Sequence, residues 1–307
     1  MHDPRMLTDR RQVLAGLAAG VLLTACGGGP GTTSSPTIAT DATAVSSGWR
    51  LGARFADGYV APSALVAGSA QRAPYVLLGS DGWPMGTEGP DRLDFTIRRA
   101  GTDGQVVATH TVARHGDDHA TPYFPLVFEV DEPGDYVVRV ATGTGGIEPH
   151  HLRVVGAGET TLIQVGDPLP AVTTPTEADP VGIDPICTEP NGPCWFHQFS
   201  VTEALGRPGP VALLVSTPRF CQSDVCGPTI GLLRSALRVR SEPWSAVHAE
   251  VYMAPEAGDF ATTPAVAALG LTFEPSLVVA DVDGIVTAAL HFTMDATEVA
   301  AALETAV

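Results

Sequence analysis

The stretch VALLVSTPRFCQSDVCGP, residues 211–228, decides how the second half of the chain is expected to fold. Its first residues are apolar and rich in β-forming types, which predicts a central strand covered on both faces of a sheet. Cys221 and Cys226 follow, and residues 227–240 then carry apolar side chains at helical spacing. Backbone N–H groups at a helix start stabilise a thiolate, so this pair can perform thiol chemistry. A structural disulfide is the alternative.

Further elements are predicted on both sides of this stretch. Residues 200–203 read Ser-Val-Thr-Glu, a capping box that opens a short helix. After the cysteine helix, the patterns predict strands at 247–254, 276–280 and 285–292, and helices at 263–269 and 295–306. The second half is therefore expected to be an α/β domain over residues 186–307.

This element order, with Cys226-Gly-Pro228 at the helix start and Glu274-Pro275 before the final hairpin, resembles the thioredoxin-like family. The resemblance implies a cis proline at Pro275 that holds a substrate strand beside the cysteines. It also implies reversible exchange with extracytoplasmic protein thiols or disulfides, with Cys221, Cys226 and Pro275 as site residues and no cofactor. Thr229 stands where the family usually has its resolving cysteine, and the strand lacks the family's buried aspartate. Which of the two cysteines attacks stays open.

Residues 48–156 show a different pattern of short runs with alternating apolar and polar residues. These runs lie at 75–78, 93–97, 105–112, 126–130, 136–140 and 151–155, separated by turn residues, which predicts an all-β sandwich. Within it, residues 125–140 resemble the strand, Pro-Gly turn and strand of immunoglobulin-like domains. Residues 157–185 are rich in Pro and Thr without a core pattern and are expected to be a linker. The expected fold is multidomain: an immunoglobulin-like sandwich followed by a thioredoxin-like domain.

The N-terminus has the features of an export signal. Arg10 and Arg11 precede an apolar and small-residue run from Val13 to Ala25, a pattern typical of Tat-type signals and too short to span a bilayer. The run ends in Leu-Thr-Ala-Cys, which resembles a lipobox, so residues 1–26 are expected to be a signal that leaves Cys26 lipidated. Residues 27–47 predict a flexible tether. We therefore expect a lipid-anchored protein on the extracytoplasmic face of a bacterial membrane.

Composition limits the partners. The formal net charge is −17 over 307 residues, which argues against binding nucleic acid or anionic headgroups. The chain has room for two ordinary domains. It contains no Lys, and with its Ala, Gly, Pro and Val bias this indicates a GC-rich, actinobacterial source.

Cys187 and Cys194 form the second cysteine pair of the exported part. Four cysteines allow three connectivities, and local pairing of Cys187 with Cys194 and of Cys221 with Cys226 closes the shortest loops. Since Cys187 and Cys194 bracket a turn without a helix start, we expect a structural disulfide there. Neither pair has the spacing of a zinc finger, so no metal site is predicted. The aromatic segment Trp195-Phe196-His197 is expected to pack in the core.

Two other functions remain open. The first is a non-enzymatic binding or scaffold lipoprotein that uses structural disulfides. The second is a copper chaperone for oxidase assembly, because the cysteine pair is similar to the motif of that thioredoxin-like family. That motif has three residues between its cysteines, whereas this chain has four. Its copper histidine precedes the late hairpin, where this chain has Glu274, and His291 lies beyond that point.

Overall fold

The computed structural model describes residues 48–101, 105–117, 119, 121–141, 147–221 and 225–307. The expected signal, the lipidation site Cys26 and the tether lie outside the described residues. Within the described part, no helix is long and apolar enough to cross a membrane. This part is mostly β-structure arranged in several sheets, with a few helices, as a multidomain β-rich chain would be.

In the first region, residues 48–156, the described residues form strands and no helices. They are β1 (Arg50–Ala53), β2 (Gln71–Leu78), β3 (Arg92–Arg99), β4 (Val106–Ala113), β5 (Phe124–Phe128), β6 (Gly134–Ala141) and β7 (His150–Val154). The alternating runs predicted all of these except β1, whose four residues are too short to show an alternation.

Two antiparallel sheets share the core of this region. One has the order β1-β2-β5 and the other β4-β3-β6-β7. The alternation along β3 is clear, since Leu93, Phe95 and Ile97 are buried while Asp94 is exposed. Their apolar side chains pack with those of the other sheet in one core cluster. Because every second residue of such a strand is buried, the strands of this region can be predicted from the sequence.

The second region, residues 186–307, contains both helices and strands. Its elements are α1 (Val201–Leu205), β8 (Val211–Val215), α2 (Cys226–Leu237), β9 (Ser245–Ala249), β10 (Tyr252–Ala254), β11 (Asp259–Thr262), α3 (Pro264–Ala268), β12 (Ser276–Ala280), β13 (Val286–His291) and α4 (Ala296–Glu304). The capping box at Ser200 is present with both of its hydrogen bonds. The strand expected over 247–254 is divided into β9 and β10, and β10 pairs with β11 instead of continuing the main sheet.

The main sheet of this region has the order β13-β12-β8-β9. β8 is parallel to β9 and antiparallel to β12, and β12 is antiparallel to β13. Every residue of β8 and β12 is buried, because apolar clusters cover both faces of the sheet. Residues of α1 and α3 belong to one cluster, and residues of α2 and α4 to the other. β8 therefore ends in the middle of the sheet, just before the cysteines.

Residues 157–185, expected to be a linker without a core pattern, contribute to the second core. Leu162, Ile163 and Leu169 are buried in it. The Leu169 N–H donates to the Gly284 carbonyl at 2.8 Å, and the Ile163 N–H donates to the Leu269 carbonyl at 3.0 Å. This part of the segment therefore packs against the second region. The expectation that the two regions are separate domains joined by a linker stays a prediction.

A buried ion pair joins the two regions. Arg72 on β2 donates to both carboxylate oxygens of Glu298 on α4 at 2.7 Å, and its side chain is 11% exposed. Arg72 also donates to the carbonyls of His291 at 3.0 Å and Thr293 at 2.6 Å. The Tyr123 hydroxyl donates to Glu298 at 2.5 Å. One guanidinium thus links the sandwich to the end of the main sheet.

Candidate active site

Cys221 and Cys226 are joined by a disulfide, with their Cα atoms 6.2 Å apart. Cys226 is the first residue of α2 and is fully buried, whereas Cys221 is partly exposed. The Cys221 N–H donates to the Thr217 carbonyl at 3.0 Å, which ties the loop to the end of β8. The two residues therefore differ in their access to solvent.

The start of α2 has no side-chain cap. Its N-cap residue, Val225, makes no capping hydrogen bond. The Thr229 hydroxyl donates to the Cys226 carbonyl at 2.6 Å. Cys226 thus lies in the helix turn where a thiolate is stabilised by the macrodipole.

A cis peptide bond joins Glu274 to Pro275, the residue at which the sequence implied one. β12 begins at the next residue, Ser276, which pairs with Val215 of β8. The Glu274 carboxylate lies within 4.8 Å of both sulfurs of the disulfide. Burial raises the pKa of this carboxyl. The sequence analysis used Glu274 to locate the turn before the late hairpin and as a departure from the copper motif, and it did not predict that its carboxylate lies close to the cysteines.

His291 does not join this group. Among the described residues, the cluster of possible metal ligands at the two sulfurs contains Glu274 and no histidine. The Nδ1 atom of His291 lies 3.0 Å from the Ser276 hydroxyl, and its ring packs against Phe273. Burial, together with the nearby Arg72, lowers the pKa of His291 to about 3, so its ring is neutral at ordinary pH.

Cys187 and Cys194 form a second, buried cluster. They are 5% and 3% exposed and are free cysteines, whereas the sequence predicted a disulfide between them. The turn between them is closed by a hydrogen bond from the Gly192 N–H to the Glu189 carbonyl at 3.2 Å. The structure therefore brings the two residues together without the expected disulfide.

Two histidines complete this cluster. His197 and His248 are fully buried, and ligand atoms of Cys187, Cys194 and the two histidines all lie within 4.8 Å of one another. The His197 Nε2 atom is 3.2 Å from the His248 Nδ1 atom, and Cys194 Sγ is 3.6 Å from the same Nδ1. Sequence reasoning placed His197 in the core and did not consider His248, whose only signal is a histidine within an apolar strand. The neighbouring Trp195, also expected in the core, is 73% exposed.

The two thiols of this cluster have opposite acidities. Hydrogen bonds, first from Cys194 and then from His197 and His248, lower the pKa of Cys187 in spite of its burial. The same interaction with Cys187, followed by burial, raises the pKa of Cys194. Burial lowers the pKa of His248, but the hydrogen bond and charge of Cys187 outweigh burial and raise it overall. The cluster therefore favours an anionic sulfur next to imidazole nitrogens.

Comparison with known proteins does not assign the chain to a family. A scan against protein-family models finds no match, and a search of curated proteins finds no significant relative. The functional argument therefore rests on the residues and their arrangement.

Proposed function

We propose that the second region is a thioredoxin-like domain that performs thiol-disulfide exchange through Cys221 and Cys226. The observation that carries this proposal is the convergence of three features at the end of β8: the cysteine pair, the start of α2, and Pro275, which directly precedes the β12 residue that pairs with Val215. The sheet order, in which β8 lies beside a parallel β9 and an antiparallel β12, is the order expected of a thioredoxin-like domain.

The exchange has a simple balance of atoms and electrons. In the reduced protein, one cysteine thiolate attacks a sulfur of a partner disulfide, forming a mixed disulfide and releasing one partner thiolate. The second cysteine then attacks the mixed disulfide, which releases the second partner thiolate. Two electrons pass to the partner, and the Cys221–Cys226 bond forms. The reverse sequence oxidises a partner dithiol.

Differential burial supports Cys221 as the cysteine that meets the partner. Its side chain is partly exposed, whereas Cys226 is fully buried at the helix start. A partner disulfide can reach Cys221 without opening the domain, and Cys226 is then placed to resolve the mixed disulfide. This proposal chooses between the two alternatives that the residues alone left open.

Glu274 supplies a proton acceptor for the resolving step. Its carboxylate lies within 4.8 Å of both sulfurs, and its raised pKa brings it closer to that of a thiol. When ionised, it can take the proton of Cys226 as that thiol becomes a nucleophile. It thus offers the function of the aspartate that β8 lacks.

The location and the first region complete the proposal. Export and lipidation at Cys26 place the domain on the extracytoplasmic face of the membrane, where protein thiols and disulfides are the partners and nucleic acid is not. The two facing antiparallel sheets of residues 48–156 are consistent with an immunoglobulin-like sandwich. This sandwich would act as a spacer for the second region or recruit its protein partners. The acidic chain is compatible with protein partners of this kind.

Trapping of a mixed disulfide tests this function. Cys226→Ser should accumulate a mixed disulfide with a disulfide-containing peptide, because the resolving thiol is gone, whereas Cys221→Ser should form none. Each variant is the matched control of the other, and non-reducing gels with mass spectrometry provide the readout. The reverse pattern would assign the attack to Cys226.

The reduction potential separates an enzyme from a scaffold. A redox-active pair should equilibrate with glutathione or thioredoxin-like buffers, whereas a structural disulfide lies below about −300 mV. A potential in the structural range, with no trapped species in either variant, would replace this proposal with the binding or scaffold function. Tight copper binding that depends on Cys221 and Cys226 would favour the chaperone.

A further inference from the structure

Cys187, Cys194, His197 and His248 are four metal-ligating side chains that the proposed exchange does not use. All four are buried, and they come from three places: the turn at 187–194, the segment before α1, and β9. Their ligand atoms lie within 4.8 Å of one another. Two cysteines and two histidines that converge in the interior are the ligand types of a Cys₂His₂ zinc site.

The outer nitrogen of each histidine faces a backbone carbonyl. His248 Nε2 lies 3.1 Å from the Ser216 carbonyl, and His197 Nδ1 lies 3.4 Å from the Pro175 carbonyl. The Ser216 hydroxyl also lies 3.0 Å from His248 Nε2, so both outer nitrogens have polar partners outside the cluster. This arrangement, in which a carbonyl fixes the outer nitrogen, is typical of metal-ligating histidines.

The inner nitrogens face each other and the cysteines. His197 Nε2 and His248 Nδ1 are 3.2 Å apart, and Cys194 Sγ lies 3.6 Å from the same Nδ1. A single cation bound between these atoms can accept a lone pair from each of them.

The distances match one coordination geometry. In a tetrahedral zinc site, bond lengths of about 2.0–2.1 Å to nitrogen and about 2.3 Å to sulfur separate two nitrogens by about 3.3 Å and nitrogen from sulfur by about 3.6 Å. The corresponding separations here are 3.2 Å between the inner nitrogens and 3.6 Å between Cys194 Sγ and His248 Nδ1. Two thiolates also neutralise a divalent cation, so the buried site carries no net charge.

We propose that Cys187, Cys194, His197 and His248 bind one structural Zn²⁺ ion. The ion fastens the turn at 187–194 and the segment before α1 to β9. This turn supports the redox loop, because Thr188 Oγ1 accepts from the Arg219 N–H at 3.3 Å, two residues before Cys221. Cys187 and Cys194 also share a core cluster with Ile230 and Leu233 of α2. The zinc site thus holds the framework around Cys221 and Cys226 without taking part in exchange, and it stands independently of the proposed function.

Metal content and cobalt substitution test this site in the full-length protein. Purified wild-type chain should contain one zinc per chain, and Co²⁺ replacement should produce the visible bands of a tetrahedral site with sulfur ligands. Cys194→Ser and His197→Gln should each lose the metal and the cobalt spectrum. The matched control is the double variant Cys221→Ser/Cys226→Ser, which removes the other two thiols and should retain both.

Alkylation keeps the test decisive if the ligand variants fail to fold. In the wild-type protein, Cys187 and Cys194 should resist iodoacetamide until a zinc chelator is added, and the chelator should lower Tm by several degrees. A Cys187–Cys194 disulfide, seen as a peptide lighter by two hydrogens in protein without zinc, would overturn the proposal. So would reduced thiols without bound zinc, binding of copper(I) in place of zinc, or zinc lost from the Cys221/Cys226 control instead.

Discussion

The two cysteine pairs of this chain are similar in sequence and opposite in environment. Cys221 and Cys226 are bonded to each other, Cys221 is partly exposed, and a carboxylate lies within 4.8 Å of both sulfurs. Cys187 and Cys194 are free, buried and surrounded by imidazole nitrogens. The comparison teaches that access and neighbours, more than spacing, decide whether a cysteine pair exchanges electrons or holds a framework.

The largest expected effect is the opposite response of the two pairs to reductant and chelator. Mild dithiothreitol should open the Cys221–Cys226 disulfide and make the partly exposed Cys221 reactive to iodoacetamide, while Cys187 and Cys194 stay unlabelled. A zinc chelator without reductant should do the reverse, because the metal protects the thiolates of the second pair. Peptide mass spectrometry measures both. Simultaneous labelling of all four cysteines under dithiothreitol alone would break the comparison.

The next effect separates loss of stability from loss of either site. Arg72→Ala should lower the free energy of unfolding by about 3 kcal/mol, since it leaves the largely buried Glu298 carboxylate with the Tyr123 hydroxyl but without its cationic partner. Arg99→Ala is the matched control, because its partner Glu132 has a side chain that is 70% exposed, and it should cost at most about 1 kcal/mol. Chemical denaturation gives both values.

Neither arginine variant should change the zinc content or the reactivity pattern of the cysteines. Equal losses of stability in Arg72→Ala and Arg99→Ala would show that burial of the Arg72–Glu298 pair has no consequence. Loss of zinc in Arg72→Ala would mean that the contact between the two regions controls the buried cluster.

Glu274→Gln tests whether the carboxylate near Cys221 and Cys226 accepts the thiol proton during exchange. The ionised carboxylate accepts the thiol proton, so the wild-type exchange rate should fall as pH drops through the raised pKa of Glu274. The glutamine variant should lose this acidic limb and turn over about 100-fold more slowly, at the low end of general-base contributions. Stopped-flow exchange across pH measures the profile, and zinc content should be unchanged. An unaltered profile would remove Glu274 from the mechanism.

The same variant has a stability consequence of known sign. Burial raises the folded-state pKa of Glu274 above its ordinary value of 4.5, so the folded protein holds this proton more tightly than the unfolded chain does. Stability should therefore decline as pH rises from that ordinary value through the folded-state pKa. Glu274→Gln should lack this part of the decline. Denaturation curves of the two proteins over this range provide the check.

The smallest effect concerns substrate docking. Pro275→Ala should raise KM for a disulfide substrate several-fold with a smaller change in kcat, because the proposed docking edge starts β12 beside the cysteines. The reduction potential and the chelator response of the buried cluster should remain as in the wild-type protein. A change in kcat alone would indicate that Pro275 acts on the chemistry and not on docking.

Local patterns in the sequence determined the elements and part of the site. Alternation identified the strands from β2 to β7, and the capping box at Ser200 located α1. The β-rich run at 211–215 and the helical spacing after Cys226 placed the cysteine pair between β8 and α2. These features are legible because each depends on residues a few positions apart, with periods set by strand and helix geometry.

Only the tertiary structure decided what surrounds each cysteine. His197 and His248 are 51 positions apart, and their rings meet because His248 lies on β9, the parallel neighbour of β8. Glu274 reaches the disulfide because β12 pairs with β8 on its other side. Arg72 and Glu298 are 226 positions apart. No periodic pattern in the sequence encodes such contacts, because the packing of separate elements around a shared core brings these side chains together. The same packing leaves Cys221 partly exposed and buries Cys226.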